Sequence, residues 1–414
     1  MRGAKLRPAK EMCVRVLVPN LGSTSLKYQV VEMETERILA RGRIERIGSE
    51  QAQITTWDEN GKATKSVSAV PDHRTAVQKL IQHLGALENA GQGSGVDAVG
   101  FKAVLAGPDY RGTFLVTDEL LQAMTDFVPV APVHNPIYIQ AMQIFRSLLP
   151  QVPMVAVFEP GFHATMPARA VTYGVPHEWM GRYGVLRYGY HGSSHRYISE
   201  RVPKFLRRSS NGLRLVSCHL GGSSSICAIR DGKSVDTSMG FSPQSGVEQS
   251  GRSGDLDPFA VLYVMEKEKL APSQVREILC KKGGLLGISG LSNDLRDLEE
   301  AAEKGNAQAK LAIEVFTYEV KKYIGAYAAA LGGLDVLSFA GGIGENSWRV
   351  REEAVQGLEF LGIRLDHKQN RAGGSADRII SATDAMVTVL VIYTNEEKIV
   401  ARETKRLVEE IGTS

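Results

Sequence analysis

The sequence is poor in cysteine, in net charge and in long apolar runs, and each shortage excludes a class of protein. Only 4 of its 414 residues are cysteine, and none has the CxxC spacing of a zinc site or redox pair, which indicates a reducing compartment. The 49 basic and 46 acidic residues leave a net charge of +3, too small to attract nucleic acid or an anionic membrane through bulk charge. The longest strongly apolar stretch, Met386–Tyr393, is far shorter than the roughly 20 residues of a membrane helix. We therefore expect a cytoplasmic protein that binds neither nucleic acid nor membrane.

What is present is the composition of a folded globular chain. The residues are 43% hydrophobic and 23% charged, and the length predicts two domains or more. Residues 1–13 carry four basic side chains without a continuous apolar stretch after them, so we interpret them as a frayed basic extension and not as a signal peptide.

A strand, turn, strand pattern occurs twice along the chain. Valine-rich and alternating segments bounded by Gly/Ser turns are typical of antiparallel strands. The strands predicted in this way are Val14–Val18, Leu26–Met33 and Ile38–Ile47 in the first occurrence, and Arg214–Cys218 and Ser225–Ile229 in the second, where Asp231-Gly232 marks a hairpin.

Helices and further strands follow each occurrence. The predicted helices are Thr75–Ala90, Asp118–Thr125, Pro136–Leu148, a long helix that contains Phe316 and Leu331, one near Arg349, and one from Glu396 to Glu410. The predicted strands are Val96–Leu105, Pro153–Phe158, Val336–Phe339 and Met386–Tyr393. This order indicates a duplicated α/β fold of two domains with a cleft between them, residues 1–160 plus 397–414 and residues 161–396.

Two turns offer clustered N–H and hydroxyl groups. The turn 20–27 carries Ser23, Ser25 and Lys27, and the turn 219–225 carries Gly221, Gly222 and Ser223 beside His219. Such turns can hold a phosphate or a Mg²⁺-phosphate, although neither has the GxxxxGK[ST] spacing of a P-loop. An ordinary Gly/Ser turn fits each of them equally well alone, and their occurrence once in each half favours a phosphate.

Further polar residues lie at turns and leave two interpretations open. The segment Phe339–Asn346 follows a strand and opens a helix, where a backbone can approach a ligand closely, but it lacks GxGxxG spacing. His134 precedes a helix, and Tyr190–His195 is predicted as a turn with two histidines; a single histidine is more often structural. Arg252 stands among glycines, as a solvated loop charge or as an anion clamp.

Together these segments resemble the acetate kinase family, which shares a superfamily with sugar kinases, actin and the large heat-shock chaperones. The resemblance is nearly collinear from Val14 to Thr404, and a set of motifs this size is highly specific. The motifs are GSTSLKYQV (22–30), VFEPGFHATMP (157–167), YGYHGSSH (188–195), DTSMGFSP (236–243), GISGLSNDLRDL (287–298), GIGENS (342–347) and TNEEKIVARET (394–404).

The resemblance implies a duplicated actin-like ATPase fold of the ribonuclease H type and a reversible reaction. The γ-phosphoryl group of ATP passes directly to a short carboxylic acid, giving an acyl phosphate and ADP, with Mg²⁺ and in a homodimer. A carboxylate is already ionised at pH 7, so the chemistry needs alignment and cations and no general base.

The resemblance also implies a role for individual residues. The metal would be held by Asn20 and Glu396. The groups at the transferring phosphoryl are Lys102, His134, Glu159, His191 and Arg252, and Lys102, Val104, Val133, Tyr190 and Pro243 would bind the acid. The nucleotide would contact Ser23, Ser25, Lys27, His219, Gly221, Gly222, Ser223, Asp294, Arg296, Gly342, Ile343, Gly344, Glu345 and Asn346.

Three of these positions depart from the family pattern. Lys102 stands where the family motif HRVVHGG has its arginine, and lysine keeps the charge but loses the planar two-pronged donor. Glu159 replaces the family's aspartate with a side chain one methylene longer. Gly222 replaces the asparagine of HLGNGSS, which removes one side-chain contact to phosphate.

These departures leave two functions open. The chain is either a kinase with an altered acid or phosphoryl-donor preference, including propionate or butyrate in place of acetate, or a nucleotide-binding relative with weak or lost transfer. We favour the kinase, because Asn20, His191 and Arg252 would be costly to retain without chemistry. A sugar kinase of the same superfamily is a weaker third possibility, since the motifs match the acetate kinase branch.

Overall fold

The computed structural model describes residues 14–58, 60–87 and 95–412, and the chain divides into two compact units. One unit ends at Gly161 and resumes at Asn395, and the other runs from Phe162 to Thr394. The predicted basic extension lies outside the described residues. Asn395 and Glu396 belong to the first unit, and not to the second as the expected boundary has it, because Glu396 begins a helix that packs on the first sheet.

The first unit begins as an antiparallel meander and continues with alternating helices and strands. Its elements are β1 (Arg15–Gly22), β2 (Ser25–Glu32), β3 (Arg37–Glu45), β4 (Ser49–Trp57), β5 (Ala63–Val70), α1 (His73–Leu87), β6 (Ala98–Ala103), β7 (Thr113–Leu115), α2 (Asp118–Asp126), α3 (Asn135–Leu148) and β8 (Met154–Phe158). A 3₁₀ helix, Glu159–Thr165, leads out of this unit.

The second unit opens with short helices and then repeats the meander. Its elements are α4 (Ala168–Val171), α5 (Glu178–Tyr183), α6 (Gly192–Leu206), β9 (Arg214–His219), β10 (Ser225–Arg230), β11 (Lys233–Thr237), α7 (Pro258–Glu268), α8 (Pro272–Lys281), α9 (Gly284–Ser289), α10 (Leu295–Glu303), α11 (Ala307–Leu331), β12 (Val336–Ala340), α12 (Gly341–Asn346), α13 (Trp348–Val355), a 3₁₀ helix (Glu359–Leu361), α14 (His367–Arg371), β13 (Arg378–Ile379) and β14 (Thr388–Val391). The chain then returns to the first unit as α15 (Glu396–Gly412).

The two sheets share one topology. Among the described residues, the first sheet has the order β5-β4-β3-β2-β1-β6-β8-β7 and the second has β11-β10-β9-β12-β14-β13. In each, three antiparallel strands are followed by two parallel ones and by a short antiparallel edge strand. The predicted duplication of the α/β fold is confirmed, and β4 and β5 extend the first sheet only.

Helices cover both faces of the first sheet. Successive side chains of a strand point to opposite faces, and on β6 the neighbours Gly100 and Phe101 touch different helices. Phe101 packs edge-on against Phe145 of α3, with 5.4 Å between ring centroids. Gly100 faces Thr404 of α15 so closely that a Cβ would lie 2.2 Å from its hydroxyl, so only glycine permits this approach. The first unit is therefore a three-layer α/β/α structure.

The second sheet is enclosed in the same way. The buried side chains of β9, β10, β12 and β14 alternate between two apolar clusters, one with α11 and α13 and one with α6. Strands buried on both faces read as almost continuous apolar runs, which is why the sequence predicts them. The β10–β11 hairpin turns through Asp231 and Gly232 with φ of 54° and 74°, as a type I′ turn requires.

Three local predictions are wrong in detail. The first hairpin is tighter than expected, because Asn20 pairs with Lys27 and Gly22 with Ser25 on β1 and β2, which leaves Ser23 and Thr24 as the turn. His195 lies in α6 and not in a turn, since that helix begins directly after His191. The segment Gly341–Asn346 is itself the helix α12, where the sequence predicts a turn before a helix.

Candidate functional site

In the second unit, the turn between β9 and β10 is closed by its own serine. The Ser224 hydroxyl accepts a hydrogen bond from the Gly221 N–H at 3.1 Å and lies 3.0 Å from the Gly221 carbonyl, to which it donates. The N–H of Ser250 donates to the Gly222 carbonyl at 3.2 Å. These bonds hold a compact, glycine-lined turn.

The helix α12 is attached to the same turn by backbone hydrogen bonds. The N–H groups of Ile343 and Gly344 donate to the Leu220 carbonyl at 2.8 and 3.1 Å. Gly341 has φ of 77°, and a Cβ there would lie 2.6 Å from the Leu220 carbonyl oxygen, so this approach depends on glycine. Glu345 accepts from the N–H groups of Gly341 and Thr394 at 3.0 and 3.3 Å. Two motifs separated by about 120 residues thus form one surface.

This surface lines a cavity of about 720 Å³, which lies within the size range of small-molecule sites. Seven predicted nucleotide residues lie there: Gly221, Gly222, Asp294, Arg296, Gly342, Ile343 and Asn346. The cavity also contains Ser250, Asn293, Leu295, Glu299 and Ser347, which the sequence analysis did not single out. Ser347 could have been found as the N-cap before α13, where its hydroxyl accepts from the Val350 N–H at 3.2 Å.

Asp294 and Arg296 are organised by the start of α10. Asp294 is the N-cap, and its carboxylate accepts from the Arg296 N–H at 3.0 Å and from the Arg296 guanidinium. These hydrogen bonds lower the pKa of Asp294 below its ordinary value. The Arg296 side chain is 87% exposed, so it forms the solvent side of the cavity.

Arg252 contacts the glycine-lined turn, and it is no solvated loop charge. Its Nη1 donates to the Ser223 hydroxyl at 3.1 Å and to Gln249 Oε1 at 3.0 Å. Ser223 itself donates to Gln249 at 2.8 Å. Burial lowers the pKa of Arg252, although a guanidinium stays charged at pH 7. A held cation therefore lies beside the turn.

Four histidines of the second unit form a stacked and hydrogen-bonded group. The rings of His191 and His219 have centroids 4.4 Å apart with 34° between their planes. The ring centroids of His163 and His195 are 5.8 Å apart. His219 Nδ1 lies 2.7 Å from the Ser194 hydroxyl. Tyr190, just before His191, donates to the Phe241 carbonyl at 2.8 Å.

Pro243 is tied to the Arg252 network through its backbone. Its carbonyl accepts from Gln249 Nε2 at 3.0 Å and from Arg252 at 3.4 Å. Tyr190 is thus anchored to the Phe241 carbonyl, and the Pro243 carbonyl to Gln249 and Arg252.

In the first unit, a lysine and two glutamates form a charged cluster. Lys102 on β6 donates to Glu396 at the start of α15, and Glu159, 4% exposed, follows β8. Burial opposes the charge on Lys102, but the carboxylates of Glu396 and Glu159 outweigh it and hold the pKa of Lys102 well above its ordinary value. Tyr138, whose pKa burial raises, lies 3.4 Å from Asn20 Oδ1 through its hydroxyl. Tyr138 therefore connects Asn20, a predicted metal ligand, to the charged cluster of Lys102, Glu159 and Glu396.

Other predicted residues of the first unit lie in or next to α3, β6 and β2. His134 is the N-cap of α3, and Val104 is buried directly after β6, while Val133 is 36% exposed. Lys27 and Asn20 line a second cavity of about 220 Å³ together with Arg41, Arg43 and Trp57. The basic lining on β3 is a feature that sequence reasoning missed, although Arg41 and Arg43 alternate on that strand.

The comparison with protein families decides the class. Residues 15–402 match the model of the Acetokinase family. The chain belongs to this family. It is therefore a kinase, an enzyme that transfers phosphoryl groups.

Relatives of known name agree with this assignment over nearly the whole chain. Acetate kinase of Thermoanaerobacterium thermosaccharolyticum is 45% identical over 404 residues, 96% of this chain and 100% of the relative. Acetate kinase of Dictyoglomus turgidum is 46% identical over 404 residues, 96% of this chain and 98% of the relative.

Solved structures match the fold closely. The crystal structure of Porphyromonas gingivalis acetate kinase has a TM-score of 0.83 at 37% identity and covers 95% of this chain and 100% of its own. The crystal structure of a propionate kinase from Francisella tularensis has a TM-score of 0.86 at 32% identity and covers 95% of this chain and 99% of its own. The duplicated actin-like α/β fold that the resemblance implies is therefore confirmed.

Proposed function

We propose that the chain catalyses reversible, direct in-line transfer of the γ-phosphoryl group of ATP to a short-chain carboxylate, with acetate as the first candidate acid. The observation that carries the proposal is the cavity of about 720 Å³ formed by the β9–β10 turn, Asp294 and α12. Relatives named acetate kinase and a neighbour named propionate kinase support a small carboxylic acid as the acceptor.

The second unit would hold the nucleotide. The cavity offers glycine backbone at Gly221, Gly222 and Gly342, against which a flat base or a phosphate can lie closely. The partly buried guanidinium of Arg252 beside Ser223 would supply a cation where charge develops on the transferring group.

The first unit would contribute Lys102, Val104 and Val133 to acid binding, and the transfer would need no general base. A carboxylic acid is ionised at pH 7, so what it needs is orientation and a nearby cation. Lys102 stays protonated because two carboxylates surround it, and it would supply that cation, with Glu159 and the buried Val104 beside it.

Asn20 and Glu396 would hold Mg²⁺. Their amide and carboxylate oxygens are the hard donors that this ion prefers, and it commonly uses one or two carboxylates together with substrate phosphates. Among the described residues no three His, Cys, Asp or Glu side chains form a metal cage, in keeping with an ion shared with a nucleotide. When bound, Mg²⁺ would neutralise charge on the phosphates.

We further propose a homodimer that associates through α7. None of the described residues of this helix is buried. Its large apolar residues Phe259, Leu262 and Tyr263 are 76%, 51% and 61% exposed. Their spacing places them on one side of the helix, and exposed apolar patches of this kind mark interaction sites.

We propose the cytoplasm as its location, because the proposed co-substrate ATP is made and used there. Among the described residues, no helix is long and apolar enough to cross a membrane.

The test is phosphoryl transfer from acetyl, propionyl and butyryl phosphate to MgADP by the purified protein. We expect turnover that ranks the three acids and that falls about 10²-fold or more in Arg252→Ala, on the scale of removing one transition-state donor. Arg208→Ala, which removes an exposed arginine of the same unit, should leave the rate unchanged. No turnover with any acid, while MgADP still raises the melting temperature, would contradict transfer and favour a nucleotide-binding relative.

A further inference from the structure

A chain of hydrogen bonds leads from His191 into the interior of the second unit. His191 Nδ1 lies 2.8 Å from the Ser225 hydroxyl, which lies 2.8 Å from His195 Nε2. His195 Nδ1 in turn lies 2.9 Å from the Ser217 hydroxyl. Ser217, Ser225 and His195 are completely buried, so these groups are shielded from bulk solvent.

The fold builds this chain from three elements. Ser217 on β9 and Ser225 on β10 point to the face of the sheet that α6 covers, since they alternate with residues of the α11 cluster. His195 is in the first turn of α6. His191, just before that helix, has φ of 55°, an uncommon backbone conformation for a residue other than glycine.

Counting the protons leaves two possible states for this chain of hydrogen bonds, which differ in the direction in which its members donate. The Ser225 hydroxyl has a single proton and, in the part of the chain that the structure describes, only the two ring nitrogens as side-chain partners, so it donates to one and accepts from the other. Burial, together with His163 and His219, lowers the pKa of His195 well below its ordinary value. His195 is therefore neutral and carries one N–H.

Ser217 decides between the two states. If His195 carried its proton on Nδ1, Ser217 would have to accept, and its own buried proton would have no acceptor, because His195 is its one side-chain partner among the described residues. Buried donors are rarely left unpaired. Ser217 therefore donates to Nδ1, His195 donates from Nε2 to Ser225, and Ser225 donates to His191 Nδ1.

We propose that Ser225 and His195 are positioning residues that hold His191 as the neutral tautomer with its proton on Nε2, ready to donate a hydrogen bond to a phosphoryl oxygen. The proposal rests on the proposed function, in which His191 faces the transferring group. It gives His191 a fixed donor without a positive charge. If His191 were protonated at Nδ1, the hydrogen bonds of Ser225 and His195 would both have to reverse direction. The Ser217 proton would then be left without an acceptor. The ring of His219, stacked at 4.4 Å, keeps the imidazole plane fixed.

The test is nitrogen NMR of protein labelled with ¹⁵N-histidine, with His191 and His195 assigned from the spectra of His191→Gln and His195→Gln. We expect both residues to show a protonated Nε2 and an unprotonated Nδ1 in the wild type. In Ser225→Ala the His191 signals should shift toward a mixture of tautomers. Ser234→Ala is the matched control, because it removes a buried hydroxyl 2.8 Å from Nδ1 of His163, outside this chain.

Kinetics separate this proposal from the proposed function. We expect Ser225→Ala to lower kcat about tenfold, the value of one hydrogen bond, with KM for nucleotide unchanged, and Ser225→Thr, which keeps the hydroxyl, to restore part of it. A wild type without turnover would overturn the proposed function, while its spectrum would still decide the tautomer. A proton on His191 Nδ1 in the wild type would overturn the positioning role, and this result does not depend on whether an alanine variant folds. Equal shifts of the His191 signals in folded Ser225→Ala and folded Ser234→Ala would overturn it as well.

Discussion

At the scale of single residues, Glu248 is a carboxylic acid almost completely enclosed by protein. It is 4% exposed, and its Oε1 makes no hydrogen bond within the described part of the chain. Burial raises its pKa from 4.5 to about 7. The folded state therefore holds this proton at pH values where the unfolded chain has released it.

We expect this group to make the protein less stable as the pH rises from about 4.5 to 7, because the folded state binds more protons than the unfolded state in this range. Glu248→Gln should remove the effect and raise the free energy of unfolding at pH 8 by on the order of 3 kcal/mol, with little change at pH 5. Urea unfolding at the two pH values measures this. Glu303→Gln, at an exposed position, is the control, and equal changes at both pH values in Glu248→Gln would contradict the prediction.

At the scale of elements, the strands could be predicted and the links between them could not. Val336–Ala340 is buried on both faces, so its apolar run identifies it as a strand. Arg252 could not be placed from the sequence, because its position beside Ser223 depends on a fold that brings residues 29 positions apart together. The helix α6 was not predicted, since GSSH at its start is typical of a turn and only burial of Ser194 and His195 against the sheet favours helix.

The helix α12 depends on a buried arginine that no motif revealed. Arg351, 1% exposed, donates from Nη1 to the carbonyls of Gly344 and Glu345 at 2.8 and 3.1 Å. Its Nε and Nη2 donate to the side chain and carbonyl of Asn370 at 2.8 and 2.6 Å. Burial lowers its pKa to about 10. It ties the last carbonyls of α12 to α14.

Arg351→Met should destabilise the second unit by about 3 kcal/mol, because it leaves several buried acceptors without donors. We also expect about tenfold weaker MgADP binding, since α12 lines the cavity. Denaturant unfolding and calorimetric titration measure the two effects. Arg349→Met, which removes a partly exposed ion pair with Glu353, should cost about 1 kcal/mol or less; an equal loss in both variants would count against a special role for Arg351.

At the scale of the whole molecule, the same strand order occurs in both units, but the two units carry different polar and charged side chains. Both sheets have the meander, the two parallel strands and the edge strand. The second unit carries the cavity of about 720 Å³ and the histidine group, while the first carries Lys102, Glu159 and Glu396. The duplication was visible in the sequence as repeated turns, whereas the groups of side chains that come together in each unit could be seen only in the structure.

The exposed helix α7 predicts how the molecule associates. Leu262→Glu should place a charge in the centre of the apolar side of α7 and convert a dimer into a monomer at micromolar concentration, as sedimentation equilibrium would show. Leu311→Glu, at a leucine 44% exposed on α11, should leave the dimer intact. A wild type that is monomeric at every concentration, or a Leu262→Glu variant that still dimerises, would contradict the prediction.

The return of α15 to the first unit has a consequence for how the protein is made. Val400 and Ala401 complete an apolar cluster with Val16 and Val155, and Thr404 covers Gly100, so the core of this unit needs residues from both ends of the chain. At 5–20 residues per second, Thr404 is synthesised roughly 15–60 s after Gly100. The contiguous unit 162–394 is complete before the ribosome releases α15. We therefore expect the second unit to fold during translation before the first, whose apolar face for α15 stays open until the helix is made.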